Sequence, residues 1–90
     1  MARFDVTSFE LTEIAAAGST KDAFLELGLL YRAGRHDVAI NLVSAHKWFN
    51  LAAIRGNAEA RRYRMEIARK MSKREIAEAQ RRAREWLARH

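Results

Sequence analysis

The chain predicts an all-α fold, and three observations lead there. Its 90 residues include no proline, which permits long uninterrupted helices. Glycine is confined to Gly18, Gly28, Gly34 and Gly56, and three of these read as helix stops. Between residues 23 and 60, small and aromatic side chains recur at helical steps: Ala23, Leu27, Gly28, Tyr31, Gly34, Ala45, Trp48, Phe49, Ala52, Ala53, Gly56 and Ala60. Small residues let two helix backbones approach closely while aromatics fill the remaining space, as a helical hairpin made to stack on copies of itself requires.

Five antiparallel helices account for the chain as one domain, residues 1–90. Thr7 with Glu10 spells a capping box and Val6 against Leu11 a hydrophobic staple, so a leading helix is expected within residues 7–18. Thr20 caps a second helix over 21–33, in which Glu26 is nearly the only polar residue among Phe24, Leu25, Leu27, Leu29, Leu30 and Tyr31. A helix apolar on most sides is normally sandwiched between neighbours. Gly34 ends it, 35–40 forms a loop, and Asn41 caps a third helix over 42–55 that Gly56 closes, so residues 20–56 make one complete hairpin. Asn57 caps a fourth helix reaching about residue 71, with Ala60, Tyr63, Ile67, Ala68 and Met71 on one side. Ser72 with Glu75 is a second capping box, opening a fifth helix to residue 88 whose inward stripe is Ile76, Ala79, Ala83, Trp86 and Leu87. Its outer face carries Glu–Arg pairs at four-residue steps, each worth about 0.3 kcal/mol.

Charge is unevenly spread. Of 17 Lys/Arg and 11 Asp/Glu, residues 1–56 hold six of each, which leaves eleven cations against five glutamates in 57–90 and puts the whole net charge of +6 in the last third. The absence of cysteine removes a disulfide framework and any thiolate metal site. Asp5, Glu10 and Glu13 stand where a signal peptide would be basic and then apolar, and no stretch approaches the ~18 apolar residues of a membrane span. The expected compartment is the cytoplasm.

Alanines, a glycine stop, a cap and a further alanine occur both at 15–23 and at 52–60, an internal repeat with a period of about 37 residues. Here the chain resembles the Sel-one-like repeats, relatives of the tetratricopeptide repeat, whose pattern runs A-x3-LG-x2-Y-x2-G, a loop ending in valine and a cap, then A-x2-W[YF]-x2-AA-x2-G-x3-A. Ala23, Leu27, Gly28, Tyr31, Gly34, Val38, Asn41, Ala45, Trp48, Phe49, Ala52, Ala53, Gly56 and Ala60 take those places. The loop is one residue longer than usual and carries His36-Asp37. After Ala60 the pattern fails, with Arg64-Met65 in place of Leu-Gly and Ala68 in place of tyrosine, so 57–89 is a degenerate, basic C-terminal hairpin.

The resemblance implies a short right-handed α/α solenoid and a non-enzymatic adaptor or scaffold whose groove holds a protein partner. Candidate partner-binding residues are Tyr31, His46 at the groove edge, Trp86, and Arg61, Arg62 and Arg64 of the basic third. Trp86 either packs back on the fourth helix or forms an exposed anchor through which two copies pair as a homodimer. Trp48 and Phe49 fill the hairpin core. No cofactor is expected, and His36, His46 and His90 lack metal-ligand spacing. Some members of the family are linked to β-lactam hydrolysis, and Ser44-Ala45-His46-Lys47 matches the bare S-x-x-K spacing. Its accompanying motifs are absent, so no enzyme is expected. The alternative function is binding of nucleic acid or another anionic surface by the C-terminal helices, weak and sequence-blind because it would rest on phosphate contacts.

Overall fold

The structure, a computed structural model, describes residues 21–35 and 38–89. These form four helices and no strand: α1 Lys21–Ala33, α2 Leu42–Ile54, α3 Ala58–Ala68 and α4 Lys73–Arg89. The all-α class holds. The expected leading helix lies outside the described residues, as do the Thr20 cap, His36, Asp37 and His90.

Local chemistry sets each helix boundary. Asn41, extended at φ −148°, accepts the Ser44 N–H at 3.0 Å, and Asn57 accepts the Ala60 N–H at 2.9 Å. Ser72 Oγ accepts the Glu75 N–H at 3.1 Å while Glu75 Oε1 accepts the Ser72 N–H at 2.8 Å, the reciprocal capping box the sequence spells. Each cap of this kind stabilises its helix by about 1 kcal/mol. At the other ends, Gly34 (φ 71°) and Gly56 (φ 99°) occupy the left-handed region that side chains disfavour. Around Gly56 the Asn57 N–H reaches the Ala52 carbonyl and the Gly56 N–H the Ala53 carbonyl, both at 3.0 Å, which completes a Schellman motif. α3 stops short of the residue 71 that its apolar pattern suggests. Lys70 and Met71 donate instead to Ile67 and Ala68, at 2.9 and 3.1 Å, tightening the last turn, and Met71 stays buried.

Among the described helices α2 is the central element, packing on α1, α3 and α4. Ser44 to Phe49, Leu51 and Ala52 are all buried. Of α1, expected to lie between neighbours, Ala23, Phe24, Leu27, Leu30 and Tyr31 are buried and Leu25 and Leu29 half-buried, while the leading helix expected on its other side lies outside the described residues. In α2 Lys47 is the only charged residue of thirteen, so covering it on several sides desolvates just one ionic group.

Two aromatic layers hold α2 in place. In the first, Phe24 of α1 stacks on Trp48 of α2 with ring centroids 5.6 Å apart, and Trp86 of α4 meets both edge-on at 5.2 and 5.7 Å. Offset and edge-to-face pairs contribute about 0.5 to 1.5 kcal/mol beyond the area they bury. Trp86 is 5% exposed, which corrects the reading of it as an exposed anchor for a second copy. α4 also lays Ala79 and Ala83 against the core, and it packs chiefly on α2 rather than on α3, the hairpin partner its order in the chain suggests.

The second layer begins at Gly28, where any Cβ would intrude on the Phe49 ring. Phe49 lies against that gap and stacks on Tyr63 of α3 at 5.4 Å. Gly28→Ala is therefore expected to cost about 1 to 3 kcal/mol by overpacking. Combined with Phe49→Leu, which removes the obstructing ring, it should cost less than the sum of the two single changes. Additive urea-unfolding midpoints would rule out this close approach.

Candidate functional site

The Phe49–Tyr63 layer leads outward to the surface. Arg32, near the end of α1, places its guanidinium 4.9 Å from the Tyr63 ring centroid and pairs with Glu66 of α3 at 3.6 Å. This partly exposed ion pair adds little stability and lies at the mouth of a groove. The loop entering α2 forms the opposite wall. The Asn41 N–H donates to the Tyr31 carbonyl at 3.0 Å and the Val38 N–H to the Arg35 carbonyl at 3.0 Å, holding the strand of chain before α2 against the end of α1. Ile40, held there, is 63% exposed.

The resulting groove, about 470 Å³, is lined by Arg32, Ala33, Ile40, Leu42, Glu66, Ile67 and Lys70. Its volume falls in the range of binding clefts, and its composition, an aliphatic floor with charged groups at the rim, suits a side chain docking from solution. From Lys70 the chain turns through Arg69, Met71, Ser72, Lys73 and Arg74, with Met71 buried beneath and the four cations exposed. Among the described residues none of these four pairs with a carboxylate. The glutamates nearby are engaged: Glu66 by Arg32, Glu75 by the Ser72 backbone, Glu78 by Arg81 and Arg82, and Glu85 by Arg81. Hydrogen bonds from Arg81 and Arg82 hold the Glu78 carboxyl down to about 2, and the same contact raises Arg81.

The candidate residues named from sequence do not share one surface. Tyr31 and Trp86 belong to the buried core. His46, expected at a groove edge, is 3% exposed, with Nδ1 unpartnered among the described residues. Desolvation first, and the nearby Arg64 guanidinium second, lower its pKa to about 4, so the ring is neutral near pH 7. Arg64 is half-buried and donates from Nη1 to Asn50 Oδ1 at 2.5 Å, a tie between α3 and α2. Arg61 and Arg62 are exposed on α3 but do not line the groove. Ser44 and Lys47, the S-x-x-K pair, are both buried, with Lys47 Nζ 4.2 Å from the Trp48 ring centroid.

Sequence reasoning missed Arg32, Ile40, Leu42 and Glu66 as groove residues. The available signal was Ile40, an aliphatic residue placed directly before a helix cap in a loop with little else to bury it. Among the described residues no three His, Asp or Glu side chains converge as metal ligands, and no helix is long and apolar enough to cross a membrane. Compared with protein-family models, curated proteins and solved structures, the chain matches none of them.

Proposed function

We propose that the chain is a non-enzymatic protein-interaction module of the Sel-one-like repeat type, an adaptor that holds a partner protein in the groove beside Ile40. In this reading α1 and α2 are the complete repeat hairpin and α3 and α4 a degenerate second unit of a short right-handed solenoid. The second unit departs from a regular repeat, because α4 packs chiefly on α2 and not on α3 in the way that α1 packs on α2. What supports the reading is the packing of the repeat positions. Ala45, Ala52 and Ala60 are 0% exposed at helix contacts, Gly28 faces the Phe49 ring, and Gly34 and Gly56 have left-handed φ. The observation that carries the function is the groove, an open concavity with aliphatic lining, whose rim holds the Arg32–Glu66 pair.

The exposed cations favour a second reading, phosphate-backbone binding. Against it, the large apolar side chains left exposed are Ile40, Ile54, Met65 and Leu87, none of them aromatic, so no stacking platform for bases exists among the described residues. Tagged chain captured from its native cells, with and without nuclease treatment, separates the two readings. The module reading expects a defined protein that survives nuclease. Nucleic acid alone, lost when salt is raised to physiological strength, would assign the surface to phosphates.

A further inference from the structure

We infer that the groove takes an acidic linear segment of its partner, one aliphatic side chain entering between Ile40, Leu42 and Ile67 while the flanking carboxylates meet Lys70 and the corner formed by Arg69, Lys73 and Arg74. The inference rests on the interaction-module reading and narrows it to one class of ligand. Three observations carry it. The floor of the groove is aliphatic, and Ile40 stands 63% exposed at its edge, apolar surface that a docked side chain would remove from water. Among the described residues that line it the only carboxylate is Glu66, already paired with Arg32 at 3.6 Å, so of the described rim charges Lys70 is left positive and without a carboxylate. Lys70 is flanked by three further exposed cations, Arg69, Lys73 and Arg74, that find no carboxylate among the described residues, and Glu75, which stands beside Arg74, is turned back into the Ser72 capping box.

This arrangement discriminates among anions. A nucleic acid would satisfy the corner but has no aliphatic group to place in the groove, and a plain acidic chain would leave the apolar lining wet. An alternation of acidic and aliphatic residues satisfies both at once, and complementary charge would speed its association as well as orient it. The anchor and the charges act on separate residues, so each can be removed alone.

The probe is a short fluorescent peptide alternating Glu-Asp pairs with leucine, titrated against the full chain by anisotropy at physiological salt. Two controls are matched to it, one with leucine replaced by serine at the same charge and one with glutamine and asparagine in place of the acids. A single-stranded oligonucleotide of the same charge is the third ligand. Binding of the first peptide is expected to fall about tenfold in Ile40→Ser and about tenfold in Lys70→Glu. Both control peptides should bind about tenfold more weakly than the parent peptide. Ile40 and Lys70 are exposed, so both variants should keep the parent's helical circular dichroism. Equal binding of the leucine and serine peptides, tighter binding of the oligonucleotide, loss of binding equal in an Ile54→Ser control, or no binding at all would each overturn the inference. If the peptide fails while cells still yield a nuclease-resistant protein partner, the ligand class is wrong and the module reading stands. If no protein is captured, the module reading itself fails.

Discussion

Trp86→Ala is expected to unfold much of the chain rather than to dissociate it. Trp86 is 5% exposed and meets Phe24 and Trp48 edge-on, so its removal empties the junction of α1, α2 and α4 at once. Truncation of a buried tryptophan costs about 3 to 5 kcal/mol. A chain of 90 residues has a stability near the lower end of the range of about 5 to 15 kcal/mol, so such a loss leaves a large unfolded fraction. Circular dichroism should show a melting temperature lowered by tens of degrees or no cooperative transition. Light scattering on the same samples decides between core and interface. A variant that keeps its helical signal and melting temperature while its mass halves would return Trp86 to the role of dimer anchor.

Acid should destabilise the fold through His46. Its pKa is about 4 in the folded chain against 6.5 when unperturbed, because burial and then Arg64 oppose the imidazolium. Above pH 6.5 the ring is neutral in both states and the full stability is present. Below it the unfolded chain takes up a proton that the folded chain refuses until about pH 4, so stability falls throughout that window. The difference of 2.5 between the two values corresponds to about 3 kcal/mol. Glu78 acts lower on the scale, since its carboxyl is held at about 2 against 4.5 and its contribution is lost only as pH falls from 4.5. His46→Leu should therefore flatten urea-derived stability between pH 6.5 and 4.5 and leave the steeper loss below it. Parent and variant profiles that run parallel through the upper window would show that His46 is not shielded as the packing requires.

The contrast between these residues shows what the sequence could disclose. Helix limits were legible because their causes are local: Asn41, Asn57 and the Ser72–Glu75 box act over three residues, and Gly34 and Gly56 over one turn. That Leu42–Ile54 is covered on several sides was not, since it depends on where α4 crosses, a contact between distant parts of the chain. The same crossing buries Trp86, and the packing around α2 buries His46 and Lys47, polar types that a sequence reading assigns to the surface. The groove was least legible of all. It is assembled from the end of α1, the loop at Ile40 and the end of α3, and none of these carries a periodic signal for it. The basic third, by contrast, was plain in composition. What the structure adds is that four of its five glutamates are engaged, leaving the corner at Arg69 to Arg74 positive.

Site-specific photo-crosslinking in the native cell tests most directly whether the Ile40 groove is a protein-binding surface. A photoreactive amino acid replaces Ile40 in one strain and Ile54, also exposed but outside the groove, in another. The account predicts a discrete protein adduct from the Ile40 position that is absent from Ile54 and lost on adding Lys70→Glu. Adducts of equal intensity from both positions, adducts to nucleic acid, or none from Ile40 would contradict it.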